Sequence, residues 1–438
     1  MSKVQDYFVV QPAQALRGQT IVPGDKSISH RAVFFGALAN GITRVRGWLP
    51  AGDTEASLQA ARTLGVPIER LSPTELVIHG GELKQPEGVL NLVNAGTGIR
   101  LLTGIMCGQP FPSVLDGSEQ LRKRPMKRII EPLRLMGAEI EGTDYKCPLY
   151  VKPTTLRGIH YDMPVASAQV KSAILLAGLF AQGQTIVTQP GPARDHTERM
   201  LRAMGVDLVE EGNAVTLTPG QPLQAMDFTV PGDLSSAAFV IAAALLIPDS
   251  EVTLTGVSLN VTRTGILEVL QAMGADIQVT ETGIEAGDPV GTIVVRYSKL
   301  KGTEVGGEVV VRMIDEFPVF MVLSLFAEGR TIVHDAEELR VKETDRLRVM
   351  SDELKKMGAV IQETEDGFIV DGPQTLHPAD VYGHDDHRIS MSLVVASLTL
   401  SEPAQVQDAR CASDSFPGFA ETLSKLGADV TVHVLQSE

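Results

Sequence analysis

The sequence predicts an α/β protein of two domains, each assembled from three copies of one repeat. Three observations point there. Six helical stretches end in the same short phrase, a Gly followed by a small or β-branched residue and then a strand: RTLGVPI at 62–68, LRLMGAEI at 133–140, LRAMGVDL at 201–208, LQAMGADI at 270–277, LKKMGAVI at 354–361 and LSKLGADV at 423–430. Their glycines at 65, 137, 205, 274, 358 and 427 are 72, 68, 69, 84 and 69 residues apart. A period of that size is the signature of a repeated supersecondary unit, and a Gly just past a helix suits the left-handed turn that ends helices cheaply. Every repeat also holds an earlier helix that is apolar nearly all round. Finally, two similar stretches, IVPG at 21–24 and DFTVPG at 227–232, stand at the edges of the first three repeats.

Taken in order, the apolar helices begin near Lys26, Thr97, Ser167, Ser235, Phe317 and Arg388, each behind a polar turn. A helix apolar on all sides belongs inside a domain, not on its surface. A strand follows each, as at Thr185–Thr188 or Thr331–His334. A polar loop and a more amphipathic helix come next, closing at the repeated Gly. No repeat could bury its apolar helix alone, whereas three sharing a helical centre could. The matching crossings assign 22–230 to a domain of repeats one to three, and 1–21 plus 231–438 to a domain of repeats four to six. A hinge is expected near 21–24 and 229–232, and a hinge places the active site in the cleft.

A formal net charge of −16 over 438 residues argues against a nucleic-acid partner, which needs a basic face. Three cysteines (107, 147, 411) without paired spacing suggest a reducing compartment, with no disulfide framework and no zinc site. The longest apolar run, Ala237–Ile247, is too short to span a bilayer, and MSKVQDYFVVQP has no cleavable apolar core. A cytoplasmic protein is expected.

Polar residues gather at helix starts, where unpaired N–H groups and the helix dipole favour anions. Lys26, Ser27 and Arg31 fall within little more than one turn, although alone they read more readily as a Ser cap with solvated charges. Lys342 and Arg346, four apart, read as one helix face with Glu343 in its first turn; the competing reading is a surface ion-pair ladder. Asn94–Arg100 offers a glycine-bearing helix start where a ligand could approach backbone. Leu121–Met126 puts three cations and a first-turn Pro125 ahead of an amphipathic helix. Ser167-Ala168-Gln169 and His384-Asp385-Asp386-His387-Arg388 stand at equivalent points, and the latter lacks a defined metal-ligand geometry. Asp315 precedes a helix apolar enough to be buried, as a cap or as a carboxylate in a half-dry site. Each cluster is weak alone, yet all fall at matching points of the repeat, so folding brings them to the same ends of the two domains.

In sequence order, PGDKSISHRA, NAGTGIR, KRPM, SAQVKSA, RDHT, IDEFP, ELRVKETDRL and HDDHR resemble the 5-enolpyruvylshikimate-3-phosphate (EPSP) synthase family from about Pro23 to Pro417. The resemblance implies a two-domain inside-out α/β barrel of βαβαββ-type units. It implies transfer of the enolpyruvyl group of phosphoenolpyruvate to the 5-hydroxyl of shikimate 3-phosphate, with domain closure on that substrate. It implies no cofactor and no metal, and a monomer whose partners are those two small molecules. By the same resemblance, Lys26 contacts both substrates, while Ser27 and Arg31 hold the shikimate carboxylate. Ser167, Ala168, Gln169, Arg194, Asp315 and Lys342 surround shikimate 3-phosphate. Arg124, Arg346 and Arg388 grip phosphoenolpyruvate, with Gly96 and Gln169 beside it. Asp315 and Glu343 are the acid–base pair, and Lys26 completes the catalytic set.

Three departures stand out. Many relatives carry Ser-Ser-Gln where this chain has Ser167-Ala168-Gln169. Arg194-Asp195-His196-Thr197 is similar to the class II branch. Asp414 occupies a position where many class I enzymes have a phosphate-binding lysine, so it is left out of the site. Gly96, where glyphosate-tolerant class II members often have Ala, implies sensitivity to that inhibitor. The sister family that acts on UDP-N-acetylglucosamine uses a loop cysteine, and Asp116–Pro125 has none. An inactive phosphometabolite-binding protein would need neither Asp315 nor Glu343.

Overall fold

The computed structural model describes residues 5–435. The described residues form six four-stranded sheets, and all six are wired alike. In each, one edge strand runs parallel to its neighbour. That neighbour pairs antiparallel with the third strand. The chain forms two compact units. The first holds Gly24–Pro231 together with Ile284–Asp288; the second holds the chain up to Pro23, Gly232–Gly283 and the residues from Pro289 onward. Each unit contains three repeats, which makes the fold the mixed α/β architecture expected from the repeat. The pentapeptide Ile284–Asp288 belongs to the first unit although it lies beyond Gly232 in the chain.

Pairings between segments remote in sequence complete three of the sheets. Asp227–Thr229, after the third repeat, pairs parallel with Gly41–Arg46 of the first. In the second unit, Arg17–Thr20 pairs parallel with the start of Glu251–Ser258, and Gln5–Val10 lies between Ala404–Gln407 and Val430–Leu435.

The apolar helices form the two cores. They are Lys26–Leu38, Gly96–Cys107 and Ala168–Gly178 in the first unit, and Leu234–Leu246, Phe317–Phe326 and His387–Ser397 in the second. Every residue from Leu234 to Leu245 is buried, as is the whole of His387–Ser397. Among the described residues no helix is long and apolar enough to cross a membrane. A polar side chain on such a helix has no water to turn to, so it must find a partner or be held where a ligand arrives.

All six repeat glycines have positive φ, between 82° and 107°. The Gly N–H of each bonds back to the carbonyl three residues earlier, as in Gly65 to Arg62 and Gly427 to Ser424. The next N–H reaches the carbonyl five residues back, as in Val66 to Ala61 and Ala428 to Leu423. That closure satisfies the last orphan carbonyls and needs a residue free of Cβ strain, which is why Gly keeps the register.

Local details differ from the sequence reading in three places. Asp25, not Ser27, caps the first helix, its Oδ1 accepting from Ile28 N at 2.8 Å. Lys342 and Glu343 are not on a helix. They lie in the turn between the 3-10 helix Glu337–Val341 and the helix Arg346–Lys356, because Asp345 caps the latter by accepting from Arg348 N at 3.1 Å. Pro125 sits ahead of Met126, the cap of Lys127–Leu135, so it precedes that helix rather than opening it.

Candidate active site

In the first unit, Asp25 does the capping and leaves Lys26 and Ser27 on the first turn of the Lys26–Leu38 helix. Lys26 Nζ lies 2.6 Å from Asp53 Oδ2. One turn on, Arg31 is only 2% exposed. Its Nε donates to Thr197 Oγ1 at 2.8 Å, Nη1 to the Ser27 carbonyl at 2.9 Å and Nη2 to Ser172 Oγ at 3.0 Å. Three donors spent on fixed acceptors aim the guanidinium, as recognition of a planar carboxylate requires. Burial pulls Arg31 down to about 10, with Glu198, Asp25 and Asp288 opposing and Arg194 adding to the fall, so it stays a cation at neutral pH. The surface-cap reading of this cluster fails on that burial.

His30, between them on the same helix, is fully buried, with Nδ1 2.7 Å from Ser57 Oγ. Burial pushes its imidazole down to about 3 against the pull of Asp53, so it is neutral and no proton donor at working pH.

The second and third repeats add their helix starts. A Cβ on Gly96 would stand 2.6 Å from Arg124 Nη1 and 3.1 Å from Arg100 Nη1, so the Arg124 guanidinium lies against the bare glycine. Arg100 donates to the Gly96 carbonyl at 3.0 Å and to the Pro125 carbonyl at 3.3 Å, tying the Arg124-Pro125 turn to this helix. Gln169 Nε2 donates to Thr97 Oγ1 at 2.9 Å. Ser167 caps Ala168–Gly178 by accepting from Val170 N at 3.5 Å. Arg194 directly precedes Asp195, the cap residue of His196–Ala203. A continuous run of contacts therefore links Arg31 to the Ser167–Gln169 helix, and that helix to Thr97 and Gly96.

In the second unit the centre is Arg346, 2% exposed. Its Nε and Nη2 donate to the two oxygens of Asp386 at 2.8 and 3.2 Å. Nη2 also donates to Glu343 Oε2 at 2.7 Å, and Nη1 to Asp315 Oδ1 at 3.3 Å. Arg388 Nη2 stands 3.8 Å from Asp315 Oδ2. Burial alone would lower Arg346, but the carboxylates of Asp386 and Glu343 hold it above the ordinary guanidinium range. Conversely, burial would raise Asp386, and the Arg346 charge holds it below its ordinary value. Asp315, Glu343, Arg346 and Arg388 thus meet around one guanidinium, while partly exposed Lys342 stands one residue ahead of Glu343. Such a buried pairing excludes the surface-ladder reading. Asp414 ends the 3-10 helix Ala409–Asp414.

Sequence reasoning missed several partners. Asp386 was read only within a possible metal string, yet it caps His387–Ser397, accepting from Arg388 N at 3.0 Å, and anchors Arg346. Lys171, 1% exposed on an apolar helix, pairs with Glu198 at 2.5 Å. A lysine on such a helix announces a partner but not which one. Thr197, Ser172 and Asp53 likewise carry no local signal. The three cysteines are buried, and burial pushes Cys107 up to about 12 and Cys147 up to about 11, so neither is a ready nucleophile.

In each compact α/β unit, buried and aimed cations at helix starts suit small anionic ligands, and in the second unit two carboxylates stand beside them, the equipment of an enzyme acting on anionic substrates. The comparisons narrow that class. Residues 10–423 match the family EPSP synthase (3-phosphoshikimate 1-carboxyvinyltransferase). The 3-phosphoshikimate 1-carboxyvinyltransferase of Geobacter sp. (strain M21) is 48% identical over 95% of this chain and 98% of its own. That of Bacillus subtilis (strain 168) is 48% identical over 94% and 98%. A solved EPSP synthase from Acinetobacter baumannii superposes with a TM-score of 0.90 at 44% identity, covering 98% of this chain and all of its own. The enolpyruvyl transferase NikO from Streptomyces tendae shares the fold at TM-score 0.82 and 17% identity, over 99% of this chain and 100% of its own. The chain belongs to the EPSP synthase family.

Proposed function

We propose that the protein transfers the enolpyruvyl group of phosphoenolpyruvate to the 5-hydroxyl of shikimate 3-phosphate, releasing phosphate. The observation that carries the reading is the Arg346 centre, where one buried guanidinium holds Asp315 and Glu343 at 3.3 and 2.7 Å. Addition needs one group to accept the 5-hydroxyl proton as its oxygen attacks C2 of phosphoenolpyruvate, and another to protonate the methylene carbon. The tetrahedral ketal then returns a proton from the new methyl group as the bond to phosphate breaks. Asp315 and Glu343 supply these transfers.

The cations divide by substrate. Lys26, Ser27, Arg31, Ser167, Ala168, Gln169, Arg194 and Lys342 hold shikimate 3-phosphate together with Asp315. Arg124, Arg346 and Arg388 hold phosphoenolpyruvate, with Lys26, Gly96 and Gln169 beside it. Arginine suits both, because its planar fork matches carboxylate and phosphate. The reading carries a cytoplasmic monomer in which side-chain cations do the work that a metal would do elsewhere. Asp315→Ala and Glu343→Ala test it: each should lose turnover by a factor on the order of 100 or more, while calorimetry still records shikimate 3-phosphate binding, unchanged in Glu343→Ala and weakened in Asp315→Ala by the loss of its own contact. Turnover within threefold of the parent in both would sink the assignment.

A further inference from the structure

Two buried pairs hold the helix start at 194–198, and the reaction uses neither. Lys171 Nζ lies 2.5 Å from Glu198 Oε1, and His196 Nδ1 lies 2.8 Å from Asp288 Oδ2, with His196, Glu198 and Asp288 all at 0% exposure. Between the two anchors stands buried Thr197, whose Oγ1 takes the Arg31 Nε–H and lies 2.7 Å from Ser172 Oγ. Arg194 is three residues before Thr197 on the same turn.

Asp288 comes from 92 residues further along the chain. It follows a two-residue turn, Ala286-Gly287, with φ of 51° and 84° at the two positions, as a tight hairpin of this hand requires. A non-glycine residue such as Ala286 adopts that hand only against the steric preference of its Cβ. The turn is built into the first unit all the same. Ala286 is 4% exposed within that unit's core. Glu285 Oε2 accepts from Thr229 N at 2.8 Å, and the Gly287 carbonyl accepts from Arg199 Nη1 at 3.2 Å.

Asp195, His196 and Asp288 bring one ligand atom each within 4.8 Å of the others. Arg199 already supplies the positive charge there, with Nε 2.7 Å from Asp195 and 3.7 Å from Asp288. The cluster is therefore an anchor, not a cation seat. A carboxylate can only accept, so Nδ1 of His196 donates and the ring is fixed in tautomer and tilt.

We propose that Asp288 is a positioning residue for shikimate 3-phosphate: through His196 it fixes the 194–197 turn, and through Thr197 and Arg194 on that turn it sets the two guanidiniums that receive this substrate. The proposal rests on the assignment of Arg31 and Arg194 made above. It separates the substrates, because Arg31 and Arg194 are assigned to shikimate 3-phosphate, whereas Arg124, Arg346 and Arg388 are assigned to phosphoenolpyruvate.

The test uses the full chain with four proteins: parent, Asp288→Asn, Asp288→Ala and Glu285→Ala. Calorimetry gives the shikimate 3-phosphate Kd, and steady-state assays give KM for both substrates and kcat. Asp288→Ala should weaken shikimate 3-phosphate about tenfold, the loss of one hydrogen bond to a charged group. KM for phosphoenolpyruvate and kcat at saturation should stay within about threefold of the parent. Asp288→Asn, which keeps an acceptor, should recover part of the loss. Glu285→Ala, which loosens the turn without touching His196, should bind as the parent does. A folded Asp288→Ala with parental Kd would overturn the proposal, and so would equal losses for both substrates. If Asp288→Ala does not fold, Asp288→Asn decides: about threefold weakening confined to shikimate 3-phosphate supports the proposal, and none overturns it. Failure of the parent itself to bind shikimate 3-phosphate would overturn the site assignment and this proposal with it.

Discussion

Replacing His30 by Asn should flatten the acid limb of the stability curve. His30 rides on the helix that presents Lys26 and Arg31, and its ring is wholly buried. Nδ1 has Ser57 Oγ at 2.7 Å, but Nε2 has no hydrogen-bond partner, so protonation would bury an unsatisfied N–H and a charge beside two cations. The folded-state value of about 3 lies well below the model-peptide value of 6.5. Between those limits the unfolded chain binds the extra proton, so stability rises with pH and is lost as pH falls from 6.5 toward 3. One such group costs about 1.4 kcal/mol by pH 5.5 and about 2.7 kcal/mol by pH 4.5. Asn can keep the Ser57 hydrogen bond and cannot titrate. Urea unfolding at pH 7.5, 5.5 and 4.5 gives the test as a difference, parent minus His30→Asn, in which all other titrations cancel. The parent's margin should shrink by about 2.7 kcal/mol between the extremes. A margin that stays constant within about 0.7 kcal/mol, a quarter of that figure, would refute the reasoning.

Other substitutions probe the substrate groups. Arg346→Lys keeps the charge but puts a single nitrogen where a fork now serves Asp386, Glu343 and Asp315. At about 1.5–3 kcal/mol per charge-assisted bond, losing two should cut kcat/KM for phosphoenolpyruvate by at least about 100-fold, and a fall under fivefold would contradict the account. Gly96→Ala meets only the far ends of Arg124 and Arg100, so the fold should survive while Arg124 retreats by roughly 1 Å to reach ordinary contact. Phosphoenolpyruvate KM should rise several-fold, and inhibition by glyphosate, which competes for that site in the family, should weaken more. Unchanged KM and unchanged inhibition would remove Gly96 from the site. At the acid end, Asp386 lies below its ordinary value because of Arg346, so its share of stability is present at neutral pH and is lost only below about pH 4. Asp386→Asn should therefore destabilise at pH 7, and its gap from the parent should narrow as pH falls below about 4, as thermal melting at pH 7 and pH 3 would register.

Much of this was written in local sequence. The six glycines could be read because each answers a local demand, positive φ after a helix, and because the demand recurs at one period. The core helices could be read because apolarity on every side leaves no surface face. Lys26, Ser27, Arg31 and Asp315 were visible as polar residues at the starts of such helices, and Arg346 as one of two cations spaced four apart beside a carboxylate. What stayed hidden depends on partners remote in sequence. Nothing near Asp386 says that it will hold Arg346, 40 residues earlier, and nothing near Asp288 says that it will hold His196. Lys342 and Glu343 were misplaced for a different reason: the spacing to Arg346 fits a helix, but Asp345 is a strong cap and starts the helix after them.

The most direct measurement is phosphate release from phosphoenolpyruvate with shikimate 3-phosphate, run beside a control with UDP-N-acetylglucosamine as acceptor. The account predicts stoichiometric release with shikimate 3-phosphate and none with the control. Release with neither acceptor from folded protein, or release only with the nucleotide sugar, would contradict it.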